Sequence, residues 1–342
     1  MNRLNSKKTV RFGVIGSSSI TDSMLAGAAI YPKLQLCAVC SRTAQRAEVY
    51  AEKHGAKHIF TSPEEMAKSD TIDMVYIASP NRLHMQQATL FLQNGKHVLC
   101  EKPLTAFPDE LAAAYETADR NGCMLTEAIM MCFQPQREIL RQAVARLGNI
   151  RSAHFDFTQL SSKYPAYLQG ETPNIFNPAM ETGAMQDLGV YCVYPALYLF
   201  GMPDSITAKA EFLRTGADGA CTAELHYPDK EVTLTCCKTK KATAPSVIVG
   251  EKGSLTVDAI SKLENIVLHL AGETPKTLWE TEEKSVLMGR EIAAFADWIR
   301  TGERDAYAAH RALSEKVSAC MFDIRRKAGI LFPRDVSAAS RP

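Results

Sequence analysis

The chain has 342 residues, more than one ordinary hydrophobic core accommodates, so two domains are expected. Hydrophobic residues make up 46% and charged residues 23%, the composition of a globular protein. With 39 basic and 38 acidic side chains the formal net charge is +1, so no long-range field favours nucleic acid or an anionic membrane, and neither is expected as a partner.

The start, MNRLNSKKTVRFGVIG, is basic, but Arg11 and Gly13 break its apolar run. No stretch approaches the ~20 apolar residues of a membrane span, and a cytoplasmic location is expected. Strands are predicted at Val10–Ile15, Leu34–Val39, His58–Phe60, Met74–Ala78, His97–Cys100 and Met124–Thr126. Helix-period segments lie between them, at Ile20–Ile30, Thr43–His54, Pro63–Lys68, Leu83–Asn94 and Pro108–Asn121. Ser41 or Thr43 caps the second helix, Ser62 precedes Pro63 at a first helical turn, and Asn94-Gly95 ends the fourth helix. This alternation implies a doubly wound parallel sheet with right-handed crossovers, a Rossmann-type α/β domain over residues 1–126.

After about residue 150 the rhythm changes. Arg151–Leu160, Ser205–Leu213, Ala220–Tyr227, Glu231–Cys237, Ser246–Val249, Ser254–Asp258 and Asn265–Leu270 read as strands, some separated by turn signals such as Tyr227-Pro228-Asp229-Lys230. Helices are expected over about Met185–Phe200 and Val286–Thr301. Residues 127–342 are therefore expected to form an α+β domain with a large, mainly antiparallel, open sheet. A homodimer or higher homo-oligomer through that sheet would cover its free face.

The ten cysteines fall inside apolar runs. Cys37 and Cys40 form a C-x-x-C, but on one strand, LQLCAVC, they point to opposite faces and cannot jointly clamp a metal. They read as buried thiols, and no metal site is expected.

A dinucleotide fingerprint would place glycines at 16, 18 and 21; the chain has Gly16, Ser18 and Thr21. Ser17, Ser18, Ser19 and Ile20 still bring hydroxyls and amides to a strand-to-helix turn, where a pyrophosphate binds a helix N-terminus. An ordinary serine-capped turn is the other reading of the same residues. After the second strand come Ser41 and Arg42, with Arg46 one helical turn on, where an acid would select the ribose 2′-hydroxyl. Their guanidinium chemistry favours a 2′-phosphate, hence NADP(H) over NAD(H), although a solvated helix start has the same composition.

Residues 77–104 read IASPNRLHMQQATLFLQNGKHVLCEKPL. Pro80-Asn81-x-x-His84, Gly95-Lys96-His97-Val98 and Glu101-Lys102-Pro103, in this order behind the GVIG turn, resemble the GFO/IDH/MocA family of NAD(P)-dependent oxidoreductases. The segment Gly183-Ala184-Met185-Gln186-Asp187-Leu188-Gly189-Val190-Tyr191 looks like the family's substrate-site helix and is closest to the glucose–fructose oxidoreductase and dihydrodiol dehydrogenase branch, with Tyr191 where inositol dehydrogenases carry His.

The resemblance implies a hydride transfer between nicotinamide and a hydroxyl or carbonyl carbon of a small molecule, a sugar, polyol or related compound. It implies Lys102, Asp187 and Tyr191 as catalytic residues, and Ser79, Pro80, Asn81, His84, Glu101 and Lys102 as residues along the cofactor. Lys102 follows a strand's carboxyl end, the rim where ligands bind in such sheets. Its ammonium can stabilise negative charge developing on the substrate oxygen, and Glu101 orients it or contacts the nicotinamide ribose. Asp187 and Tyr191 are four apart and share a helix face. The chain departs from the family pattern at Ser18 and Thr21, at Cys132 and Gln134 where Arg and His are usual, and at Glu181 and Thr182 in place of glycines. A charged Glu181 would select against acidic substrates. The depleted glycine loop also motivates a second reading, a dinucleotide-binding sensor or regulatory protein of the same fold with impaired catalysis.

Overall fold

The computed structural model describes residues 9–242 and 244–339. The basic stretch read at the start of the chain, residues 1–8, lies outside them. The strands are β1 (Val10–Ile15), β2 (Leu34–Cys40), β3 (His58–Phe60), β4 (Met74–Ile77), β5 (His97–Glu101), β6 (Leu125–Ala128), β7 (Ile150–Thr158), β8 (Ser205–Phe212), β9 (Asp218–His226), β10 (Glu231–Cys237), β11 (Ser246–Gly250), β12 (Gly253–Val257), β13 (Ile266–Leu270) and β14 (Lys276–Trp279). The helices are α1 (Ser19–Ala28), α2 (Ala44–His54), α3 (Pro63–Lys68), α4 (His84–Gln93), α5 (Pro108–Arg120), α6 (Gln136–Arg146), α7 (Tyr164–Leu168), α8 (Val190–Phe200), α9 (Lys284–Thr301), α10 (Arg304–Lys327) and α11 (Pro333–Ala339).

The chain divides into two compact units, Met1–Gln134 with Glu283–Glu315, and Pro135–Glu282 with Lys316–Pro342. In the first unit a six-stranded sheet has the order β3-β2-β1-β4-β5-β6, every neighbouring pair parallel. Strand order reverses between β1 and β4, and the loops at that switch point are where an open α/β sheet binds ligands. Apolar strand faces and helix stripes make the core, including Ile15, Val75, Ile77, Val98 and Leu125 with Phe91, Leu92 and Tyr115. Strands buried on both faces explain why these runs are nearly continuous in apolar residues.

The expected boundary at 126 differs from this division, because residues 127–134 and 283–315 group with the first unit. Helix α9 buries Leu287, Met288, Ile292, Phe295, Ala296 and Ile299. It meets α1 where neither helix has a side chain: a Cβ on Gly27 would lie 2.0 Å from the Ser285 carbonyl oxygen, and one on Gly289 2.6 Å from that of Gly27. The same unit ties Arg311 to Asp119 at 2.8 Å, and the Leu125 amide donates to the Tyr307 hydroxyl at 3.2 Å.

In the second unit an eight-stranded sheet runs β14-β13-β12-β11-β7-β10-β9-β8, antiparallel throughout except for the parallel β10–β7 pair. Helix α8 packs on β7 and β10. Pro195 lies within it, and Gly201, at φ 74, follows its end. One π-helical turn, Met185–Gly189, precedes α8, so the helix expected from 185 starts with a wider winding. Helices α6, α7, α10 and α11 and strand β14 add to the elements expected from sequence. All ten cysteines are free and buried. Among the described residues no helix is long and apolar enough to cross a membrane.

Candidate active site

The first unit brings its candidate residues to one edge, since Gly16, Ser41 and Lys102 directly follow the carboxyl ends of β1, β2 and β5, and Ser79 comes two residues after the end of β4. Gly16 has φ +104, and a Cβ there would lie 2.4 Å from the Ala78 carbonyl oxygen, so only glycine lets the β1 turn close against the end of β4. This is the one fingerprint position the sequence keeps. Ser17, Ser18 and Ser19 are exposed and Ile20 is half-buried. Ser18 is the N-cap of α1 and makes no side-chain cap hydrogen bond. Thr21, at the third fingerprint position, is fully buried.

After β2 the Ser41 amide donates to the Phe60 carbonyl at 3.1 Å. Arg42 and Arg46 are both exposed, and the Arg46 amide donates to the Thr43 hydroxyl that caps α2. After β4, Ser79 donates its hydroxyl to Gln87 Oε1 at 2.7 Å, Pro80 is exposed, and Asn81 opens a short 3-10 turn before α4. His84, expected along the cofactor, is 1% exposed. Its Nδ1 lies 2.9 Å from the Pro103 carbonyl and its Nε2 2.8 Å from that of Ser79. Both ring nitrogens thus face the chain itself, and the ring clamps the Ser79 loop to the segment after Lys102. Burial pushes its pKa down against these two carbonyls, with the nearby Lys102 charge acting the same way.

Lys102 is half-buried and joined to Pro103 by a cis peptide bond. Glu101 is 8% exposed and accepts a hydrogen bond from the Tyr76 hydroxyl in the middle of β4. Burial pushes the Glu101 carboxyl up, while Tyr76 and the neighbouring Lys102 pull it back. Glu127 anchors the other side of this segment by accepting from the Leu104 amide at 2.8 Å. Glu291, on α9, is 1% exposed, and burial together with the charges of Glu101 and Glu127 raises its pKa well above the ordinary value. Sequence reading missed Tyr76 and Glu291; a tyrosine inside an otherwise aliphatic strand and a glutamate on an apolar helix face were the available signals.

Asp187 and Tyr191 belong to the second unit. Asp187 lies in the π turn and Tyr191 at the start of α8, and the wider winding keeps residues four apart nearly in line. Tyr191 packs edge-on against Phe157 of β7, ring centroids 5.3 Å apart. The Asp187 carboxylate receives the ammonium of Lys238, whose side chain is only 4% exposed. Beside them Asp218, fully buried, accepts from the Met185 amide at 2.6 Å. Burial pushes the Asp218 carboxyl up to about 7, against its backbone donors and Lys238. Glu181, read as a selector of substrate charge, takes φ 56 and closes a 3-10 turn. Lys238 and Asp218 gave no sequence signal, because they meet Asp187 only through sheet pairing.

Residues 10–129 match the family described as an oxidoreductase family with an NAD-binding Rossmann fold, and residues 138–256 match the GFO/IDH/MocA C-terminal domain. The chain is 36% identical over 326 residues to scyllo-inositol 2-dehydrogenase (NADP(+)) IolU of Bacillus subtilis, covering 95% of this chain and 99% of the relative. The chain belongs to the GFO/IDH/MocA oxidoreductase family. Trans-1,2-dihydrobenzene-1,2-diol dehydrogenase of Macaca fascicularis is 28% identical over 344 residues, covering 95% of this chain and 99% of the relative. Among solved structures, KijD10, a 3-ketoreductase from Actinomadura kijaniata in complex with NADP and TDP-benzene, has the same fold. Its TM-score is 0.83 at 23% identity, covering 94% of this chain and 98% of that one.

Proposed function

We propose that this member of the family is an NADP-preferring dehydrogenase or reductase acting at a hydroxyl or carbonyl carbon of an uncharged sugar, polyol or related compound. One observation carries the reading: Lys102 stands at the carboxyl end of β5, on the same sheet edge as the serine turn after β1. The names of the relatives, an NADP-dependent inositol dehydrogenase and a dihydrodiol dehydrogenase, agree with a hydroxyl-bearing substrate.

The edge fits a dinucleotide. The close approach at Gly16 leaves the turn without a side chain, and α1 offers the free amides of its first turn behind three exposed serines. Ser17, Ser18, Ser19 and Ile20 would hold the pyrophosphate, Ser41, Arg42 and Arg46 a ribose 2′-phosphate, and Ser79, Pro80, Asn81 and Glu101 the nicotinamide half. When bound, the nicotinamide supplies or accepts the hydride. In reduction the Lys102 ammonium donates to the substrate carbonyl oxygen and gives up its proton as the oxygen becomes a hydroxyl; in oxidation the proton returns. Asp187 accepts from a substrate hydroxyl, and Tyr191 relays the proton. His84 fixes the loops that carry Ser79 and Lys102. The second unit's sheet would pair with a second copy of the chain, an assembly that light scattering reads directly.

Fluorescence titration with NADPH and NADH, followed by turnover of a polyol and aldose panel that includes scyllo-inositol, tests this function. The expected result is tighter NADPH binding and turnover of a neutral member. Tight binding with no turnover of any member contradicts the enzyme reading and favours the sensor.

A further inference from the structure

We propose that Lys238 is a positioning residue of the reaction, holding Asp187 as a charged carboxylate in one orientation for the substrate. The inference rests on the reading of Asp187 given above and extends it to a residue 51 positions later. Lys238 follows the last residue of β10, and its amide continues the ladder by donating to the Gly219 carbonyl at 2.8 Å. That pairing fixes its backbone beside Asp218, the first residue of β9, and directs a side chain that is 4% exposed onto the Asp187 carboxylate.

A lysine this deep is costly to bury unless paired, and a carboxylate one-fifth exposed gains most from a partner that solvent cannot replace. The remaining titratable groups around the pair divide the work. Asp218 spends one oxygen on the Met185 amide at the start of the π turn and has no partner for the other. Gly183 leaves it room, since a Cβ there would lie 1.8 Å from that second oxygen. Tyr191, four residues after Asp187 in the second turn of this helical run, packs against Phe157. The thiols of Cys192 and Cys236 are pushed up by their surroundings and carry no charge. Asp218 thus braces the backbone of the π turn, while Lys238 sets the charge and direction of the Asp187 side chain. The paired charges cancel, which suits a neutral polyol better than an acid or an amine.

The experiment compares pH–turnover profiles of the wild type, Lys238→Met, Lys238→Arg and Asp187→Asn, using the best member of the polyol and aldose panel and measuring NADPH affinity in each. Lys238→Met should lower kcat at neutral pH at least tenfold, and should move the acid limb of the profile up by at least one pH unit, with activity recovering in base. Lys238→Arg should restore most of both, and NADPH affinity should stay within twofold throughout. A Lys238→Met profile superimposable on the wild type, while Asp187→Asn abolishes turnover, overturns the role of Lys238 and leaves that of Asp187 standing. Full turnover by Asp187→Asn overturns both. If Lys238→Met does not fold, Lys238→Gln, which keeps a donor without the charge, must show the same movement of the acid limb, and an unmoved limb overturns the proposal.

Discussion

Along the edge of the six-stranded sheet, every candidate residue, His84 included, lies within seven positions of a strand's carboxyl end, whereas the carboxylate in the second unit is held by a lysine 51 positions away. In the first region the backbone places the chemistry: parallel strands end together, and their loops inherit a common rim. In the second a side chain places it, through antiparallel pairing and a buried charge. Local placement tolerates changes in single side chains, as the loss of two fingerprint glycines indicates. Placement by a buried pair does not, because removing either partner strands the other.

The sharpest test of that contrast is Asp187→Asn, which leaves Lys238 buried without its counter-ion. Urea unfolding should show a loss of about 3–5 kcal/mol, the usual cost of breaking a buried pair. A loss below about 1 kcal/mol would make the two regions alike. Next comes pH. The Asp218 carboxyl, ordinarily 3.8, is pushed up to about 7 by burial, so the folded state holds its proton more tightly than the unfolded chain. Its contribution is complete below about pH 4 and is lost as pH rises through 7, by up to about 1.4 kcal/mol per pH unit. Thermal melts across this range should therefore slope less steeply for Asp218→Asn than for the wild type.

His84→Ala is expected to cost about 1–3 kcal/mol, because the neutral ring donates its single N–H to one of the two carbonyls it lies between, and that carbonyl loses its donor. It should also lower kcat while NADPH affinity changes little, which separates a clamp from a cofactor ligand. The smallest effect belongs to Arg42→Ala, on the exposed rim. NADPH affinity should fall about tenfold with NADH affinity unchanged, as read by fluorescence titration. Equal losses for both cofactors would remove the 2′-phosphate from the role of Arg42.

Much of the first region was legible because its signals are local. The period change from strand to helix located β1, β3 and α3 to the residue, and Glu-Lys-Pro at the end of β5 marked the rim. The glycine at 16 was readable as a turn, though not the 2.4 Å approach to Ala78 that demands it. The domain boundary was less legible, since α9 lies nearly 160 residues from β6 in the chain and joins the first unit through a glycine contact with no sequence period. Helix α10 was overlooked because its buried positions Tyr307, His310, Ser314, Val317, Met321 and Ile324 keep helical spacing but include polar residues. The Asp187–Tyr191 pair was visible from spacing; Lys238 and Asp218 were not, since the register of β9 on β10 is a tertiary fact.

The most direct measurement is steady-state turnover of Lys102→Met beside its NADPH affinity. Loss of a group that stabilises and transfers charge at the reacting oxygen should lower kcat by about 10²–10⁴-fold. NADPH should still bind within about threefold of the wild type. A Lys102→Met enzyme that turns over as fast as its parent would contradict the account at its centre.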